Sequence, residues 1–264
     1  MTSPETSPTP HSDPVLLLGG CEGRLLLGLC RLQPGQPARL LAGQQWEAPG
    51  RMADILGPAL DQMLRLLKLN PRDLGGVACL RGPGSFTGLR IVLAFAEGLR
   101  LPGSLPAAGL SHLEALARSA QDLLGPRTVV VTHARTRQVH AQEFQGLAPV
   151  CDPAVLDLDL ARELVLAVDP GRTTVLGSGL RRNPSLAQEL AAAGVRLLDE
   201  RRDEPDLQAV ADLAAEAPFT AEPLTPLYLR PADAEENLDR IAHLRGLSRE
   251  EADRILASAR LDPD

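Results

Sequence analysis

Gly82, Gly84 and Gly88, with hydroxyls at Ser85 and Thr87, are the residues of this 264-residue chain whose types and spacing best suit chemistry. They follow a short apolar run at 77–80 and precede a long apolar stretch that ends near Arg100. The pattern predicts a buried strand, a glycine-rich loop and the N-terminus of a helix. Such a junction turns free N–H groups and the positive end of a helix toward one point, which suits an anion. The glycines allow a sharp turn or a close backbone approach, and Ser85 or Thr87 can cap the helix. The loop lacks the Lys-Ser/Thr pair of a P-loop and the spacing of a dinucleotide fingerprint. Ser85 does not sit in a Gly-x-Ser-x-Gly elbow, and the sequence names no acid–base partner for it.

The remaining reactive types are sparse. The five histidines are His11, His112, His133, His140 and His243. No two are four apart, so none pair on one helical face as zinc ligands do. A predicted hairpin would let His133 and His140 face each other, with no third ligand evident, and no metal site is expected. The cysteines show no Cys-x-x-Cys spacing; Cys30 and Cys79 lie in apolar runs and are expected as buried free thiols. His112 falls on the first turn of a helix opened by a Ser111–Glu114 capping box, where solvent is expected. The net charge is −7 and aromatics are 2%. The pairs Arg181-Arg182 and Arg201-Arg202 sit near acids and are expected to be solvated. An unaided grip on RNA, which needs a basic face, is excluded.

These residues must be positioned by an alternation of strands and helices. Strands are expected at 15–18, 24–30 and 39–45, the first two joined by the tight turn at 19–23. A helix at 52–69 carries Pro58, which removes one N–H. The strand at 77 and the helix ending at Arg100 come next; that helix is apolar around most of its girth and so is buried on more than one side. Ala94 and Gly98, four apart on it, would allow a close neighbour. The segment 105–110 is read as crossing into a second unit, with a helix to about 120 and a hairpin at 128–132 and 138–144 after it. A helix at 158–167, a strand at 173–176 and helices at 184–193 and 206–217 complete the body. The first 14 residues, rich in Ser, Thr and Pro, lack the basic start and apolar core of a signal peptide and read as a disordered tail. Residues 232–264 read as a helical extension, with helices at 235–245 and 249–259. No run is long enough to span a membrane.

The stretch Arg81-Gly82-Pro83-Gly84-Ser85-Phe86-Thr87-Gly88-Leu89-Arg90-Ile91 resembles the signature of the TsaB (YeaZ-type) proteins, the non-catalytic partner subunits in bacterial threonylcarbamoyl-adenosine tRNA modification. Gly177-Ser178-Gly179 and Leu227-Tyr228-Leu229-Arg230 are similar to further points of that family. The resemblance implies an α/β fold of two actin-like (RNase H-like) subdomains: the first at 15–103 with the 206–217 helix returning to it, the second at 104–205, and a closing segment at 218–231. It also implies a scaffold in the cytoplasm that pairs with TsaD, supports threonylcarbamoyl transfer by TsaD, recruits TsaE and meets tRNA indirectly. ATP and metal would then belong to the partner subunits, with no cofactor on this chain. The pairing would use Met52, Ile55, Leu56, Ala59, Phe86, Leu89, Arg90, Leu93, Ala94 and Glu97, and the same surface would support a homodimer when the chain is alone.

Two departures from the family bear on activity. Where the family's first strand ends in Asp-Thr, this chain has Gly19-Gly20, and the Asp of the second hairpin is His133. Hard oxygen ligands for Mg²⁺ are therefore missing. The glycine loop keeps two readings: a phosphate cradle that still binds an anion through Gly82, Gly84, Ser85, Thr87 and Gly88, as in an actin-like nucleotide-binding enzyme, or a tight turn that sets the helix against a partner. The second is favoured because the loop is retained while the acids are not.

Overall fold

The computed structural model describes residues 13–33, 35–101 and 105–229. The expected N-terminal tail, all but its last two residues, and the helical extension at 232–264 lie outside the described residues. The elements in order are β1 (Val15–Gly19), β2 (Arg24–Arg31), β3 (Arg39–Glu47), α1 (Met52–Leu66), β4 (Gly76–Leu80), α2 (Phe86–Arg100), β5 (Ala107–Leu110) and α3 (His112–Ser119). Then come β6 (Arg127–Arg135), β7 (Gln138–Gln145), β8 (Ala148–Pro149), β9 (Ala154–Asp157) and α4 (Leu158–Leu166). The last are β10 (Thr173–Leu176), α5 (Gly179–Arg182), α6 (Pro184–Ala192), β11 (Arg196–Leu197) and α7 (Leu207–Glu216).

Two sheets result. The first runs β3-β2-β1-β4-β5 and the second β11-β10-β6-β7-β8, with β9 also on β7. In each, an antiparallel hairpin supplies the first two strands and parallel strands extend the other side. This is the two-sheet, actin-like α/β architecture that the resemblance implied. β1 and β4 are buried along their whole length, which is why they read as unbroken apolar runs: each is covered on both faces. Leu16 and Leu18 face Leu56, Met63, Val92 and Ala96 of α1 and α2. Leu17 faces Val210, Ala211 and Ala214 of α7 on the other side. α3 inserts Leu113 and Leu116 against Val130, Phe144 and Leu176 of the second sheet. On that sheet's far face, α4 and α6 pack through Val165, Leu186 and Leu190.

One boundary differs from expectation. β5 does not open the second unit: Val77 to Leu80 pair in parallel with Ala107 to Leu110, making β5 the last strand of the first sheet. The sequence offered no way to see this, because a four-residue apolar strand carries no mark of which sheet it joins. Among the described residues, no helix is long and apolar enough to cross a membrane.

Candidate functional site

The β1–β2 turn carries the chemistry of the first sheet. Glu22 and Gly23 both adopt positive φ, at 52° and 81°. For Glu22 this left-handed conformation is uncommon and is held by what its side chain does. Ser178 Oγ and the His133 backbone N–H both donate to Glu22 Oε1, the latter at 3.3 Å. His112 Nε2 lies 3.3 Å from Glu22 Oε2. A carboxylate from the first sheet is thereby bound to the start of α5 and the end of β6 in the second. Burial works against the Glu22 charge, and His112, Ser178 and the His133 N–H outweigh it, so its pKa lies below the ordinary value. Burial likewise opposes the His112 imidazolium; Cys21 and Glu22 outweigh it and raise the ring's pKa.

His112 is thus a correction: it is 3% exposed, not solvated, because its helix begins at the junction of the two sheets. His133 and His140 do not face each other. Thr132 pairs with His140 and His133 with Val139, so the two rings leave opposite faces of the hairpin. Cys30 and Cys79 are buried free thiols as expected; burial pushes the Cys30 thiol up to about 12 and Cys79 up as well.

The glycine loop packs closely against the β1–β2 turn. Ser85, not Thr87, caps α2, its Oγ accepting from the Gly88 N–H at 3.3 Å. A Cβ on Gly88 would stand 2.2 Å from the Gly20 carbonyl oxygen, and one on Gly84 would stand 3.2 Å from Cys21 Cβ. The turn at 19–23 therefore packs against the first turn of α2. Gly84 and Ser85 instead border a cavity of about 770 Å³ between the two sheets, lined also by Glu22, His112, Ser178, Arg181, Arg182 and Asp203. Arg181 is half-buried rather than solvated, its Nε 3.4 Å from Asp203 Oδ2. Burial, assisted by Glu22, pushes Asp203 up to about 6 against the pull of Arg181. Sequence reasoning missed Glu22, Ser178 and Asp203 as cavity residues. The signal for the first two was an acid just before Gly23 and a hydroxyl between Gly177 and Gly179, both in turns that come after strands.

The expected partner residues divide sharply. Met52, Leu56, Ala59, Leu89 and Leu93 are all under 7% exposed: Leu89 packs in the core on the α7 side of the first sheet, and the other four in the core between α1, α2 and that sheet. They hold the helices in place and are not available to a partner. Arg90 and Ala94 are exposed, Phe86 is 37% exposed, and Ile55 and Glu97 are half-buried. The segment 220–228 runs along α2 and takes up part of what remains. Leu227 N–H donates to the Arg81 carbonyl at 2.7 Å and Leu224 N–H to Glu97 Oε1 at 2.8 Å. The Arg100 guanidinium donates to the Leu105 and Ala221 carbonyls at 2.8 and 2.7 Å. Tyr228 stacks on Phe86 with ring centroids 5.2 Å apart, and Arg90 lies 3.9 Å over the Phe86 ring while its Nε donates to Tyr228 Oη at 3.1 Å.

Comparison with known proteins places this arrangement. Residues 48–168 match the family model described as TsaD, tRNA N6-adenosine threonylcarbamoyltransferase. The chain is 31% identical over 183 residues to the tRNA threonylcarbamoyladenosine biosynthesis protein TsaB of Escherichia coli K12, covering 66% of this chain and 78% of that one. It is 32% identical over 185 residues to an uncharacterized protein of Mycobacterium tuberculosis, covering 69% and 76%. A crystal structure from Pseudomonas aeruginosa, of an uncharacterized protein with similarity to peptidase YeaZ, superposes with a TM-score of 0.65 at 23% identity. That superposition covers 83% of this chain and all of the other and shows a shared fold.

Proposed function

This chain belongs to the TsaB (YeaZ-type) family, and from that premise we propose that it acts in tRNA threonylcarbamoyladenosine biosynthesis as a non-catalytic scaffold paired with TsaD. The observation that carries the scaffold reading is the backbone of Gly20 lying on Gly88. A turn packed tightly on the first turn of α2 fixes that helix in place, which suits a helix that is presented to a partner. Glu22, the acid nearest to replacing the missing Mg²⁺ ligands, is already bound to Ser178, His133 and His112.

The face offered to TsaD is the outer side of α1 and α2, through Ile55, Phe86, Arg90, Ala94 and Glu97. Leu66 and Leu101, 73% and 86% exposed, extend it at the helix ends. TsaE joins the pair, tRNA is met indirectly, ATP and metal belong to the partners, and a lone chain uses the same apolar face for an isologous homodimer. The soluble setting is the cytoplasm.

Co-expression with TsaD of the same organism, then size exclusion, tests this. A heterodimer is expected, and Ala94→Glu should abolish it while leaving the circular dichroism spectrum unchanged. If the wild-type chain forms no heterodimer and the isolated protein instead binds Mg-ATP, the nucleotide-enzyme reading replaces the scaffold.

A further inference from the structure

We propose that the β1–β2 turn is a conformational latch: Glu22 holds the cleft between the two sheets shut, and the backbone of the same turn passes that state on to α2. The coupling to α2 rests on the scaffold reading above, in which the outer side of that helix is presented to a partner.

The turn carries a residue that its own backbone does not explain. The Arg24 N–H donates to the Cys21 carbonyl at 2.9 Å, which makes Glu22 and Gly23 the two central residues of a tight hairpin turn. Both adopt positive φ. Asn, Asp or Gly is the usual choice at the first of these positions, and Glu lacks the short polar side chain that bonds locally there. Its longer side chain reaches the other half instead. Ser178 Oγ at the start of α5 and the His133 N–H at the end of β6 both donate to Oε1, and His112 Nε2 lies against Oε2. The Glu22 side chain is only 17% exposed, so these bonds are largely shielded from water. Arg24 and Glu204, which also line the cavity, form a more exposed pair of the kind that holds little in water.

Outside the cavity lining, the halves are joined by apolar packing. There α3 sets Leu113 and Leu116 on the second sheet, and Ala115 in the core that the first sheet shares with α7. Two halves packed through one helix and bridged by side-chain bonds across a cavity of about 770 Å³ can open by rotating about the packed side. The turn cannot follow such a rotation freely. A Cβ on Gly20 would stand 2.6 Å from the Gly88 carbonyl oxygen and 2.8 Å from Val92 Cγ1, and one on Gly84 would stand 3.2 Å from Cys21 Cβ. Groups packed this closely transmit a displacement rather than absorb it. With Glu22 engaged, the turn sets α2 in one position; with Glu22 released, α2 loses that support. Docking on the outer side of α2 therefore favours the latched state, and by linkage the latched state favours docking by the same factor.

Spin labels on Ala53→Cys in α1 and Ser185→Cys in α6, both exposed positions, read the separation of the halves in the full-length chain. Cys151→Ser removes the exposed native thiol, and Cys21, Cys30 and Cys79 are buried. Glu22→Gln keeps an oxygen for Ser178 and the His133 N–H and should keep the wild-type distance. Glu22→Asn suits the left-handed backbone but is one methylene shorter, and should add a longer, broader population. Ser178→Ala, which leaves Glu22 in place, should do the same to a smaller extent. Affinity for TsaD, measured by calorimetry on unlabelled protein, should fall about fivefold or more in Glu22→Asn and stay near wild type in Glu22→Gln. Loss of stability alone moves neither the distance nor the affinity of the folded fraction. An unchanged distance in Glu22→Asn and Ser178→Ala overturns the latch, and if Glu22→Asn does not fold, Ser178→Ala decides. A longer distance with unchanged affinity for TsaD overturns the coupling to α2. A wild-type chain that does not bind TsaD ends the scaffold reading and the coupling with it, while the distances still judge the latch.

Discussion

In both sheets a parallel strand runs into a glycine turn that must cross the backbone of the neighbouring hairpin. After β4 the turn is Gly82 to Gly88, and a Cβ on Gly88 would meet the Gly20 oxygen at 2.2 Å. After β10 it is Gly177-Ser178-Gly179, and a Cβ on Gly177 would meet the Val131 oxygen at 2.2 Å. The likeness teaches that close backbone crossing requires glycine in both halves. The two halves differ in the helix that each turn opens. The first turn opens the 15-residue α2. The second opens the four-residue α5, which ends at Asn183 before Pro184 starts α6. The outer side of the 15-residue α2 carries Phe86, Arg90 and Ala94, the surface proposed above for a partner.

The strongest way to break this comparison is to fill the crossings. Gly88→Ala and Gly177→Ala should each cost more than about 3 kcal/mol, enough to threaten folding. Gly177→Ala should be the worse, because its φ of 115° also strains any side chain. Urea unfolding measures both. If Gly88→Ala kept wild-type stability, the first crossing would be looser than the contact indicates.

Two neighbouring positions on α2 sharpen the comparison next. Leu93 is 5% exposed and packed among Leu56, Val92 and Ala96; Leu93→Glu should cost about 3–5 kcal/mol by burying an unpaired charge. Ala94 faces outward, and Ala94→Glu should change stability by less than about 0.5 kcal/mol. Loss of TsaD binding at Ala94 with stability intact would assign the surface to the partner, whereas equal destabilisation at both positions would mean that α2 is covered on its outer side by this chain.

Much of this was legible in the sequence because β1, β4 and β6 are apolar runs bounded by turn residues and the helices carry clear caps. Ser85, Ser111, Asp157 and Asp206 each accept from the third residue of their helices. What was not legible depends on contacts far apart in the chain. His112 looks exposed from its place in a first turn and is buried because Glu22, 90 residues earlier, meets it. Apolar periodicity marks Leu93 and Ala94 alike as candidates for a partner; only the packing of α1 beneath shows which is already covered. The sheet chosen by β5 was likewise set by pairing with β4 and not by its own residues.

The junction between the halves should show in the pH dependence of stability. Glu22 lies below its ordinary 4.5, so its contribution is present above that value and is lost as pH falls through the folded pKa. His112 is raised from 6.5 to about 10, so its contribution is complete below 6.5 and fades as pH rises toward 10. Asp203 works the other way: raised from 3.8 to about 6, it costs stability progressively across that interval and fully above it. Stability should therefore be greatest on the acid side of neutrality and decline toward alkaline pH. Asp203→Asn should raise stability at neutral pH by about 1 kcal/mol, since it removes a charge that is both partly buried and near Glu22. Urea midpoints from pH 4 to 10 check the profile, and a rise through the alkaline range would contradict the Glu22–His112 assignment.

The smallest effect concerns the strap that distinguishes the first half. Tyr228 is 41% exposed, stacked on Phe86 and bonded to Arg90. Tyr228→Ala should cost about 0.5–1.5 kcal/mol, the range of an exposed aromatic pair with a cation over it. A double-mutant cycle with Phe86→Ala separates the direct stack from lost area: a coupling of about 0.5 kcal/mol or more is expected for residues in contact. The sign of the effect on TsaD binding then decides the strap's role. If the strap presents Phe86 to the partner, Tyr228→Ala weakens binding in step with Phe86→Ala. If the strap competes for the same ring, Tyr228→Ala tightens binding while lowering the stability of the free chain, because the interaction lost on unfolding is also one that must be given up on docking.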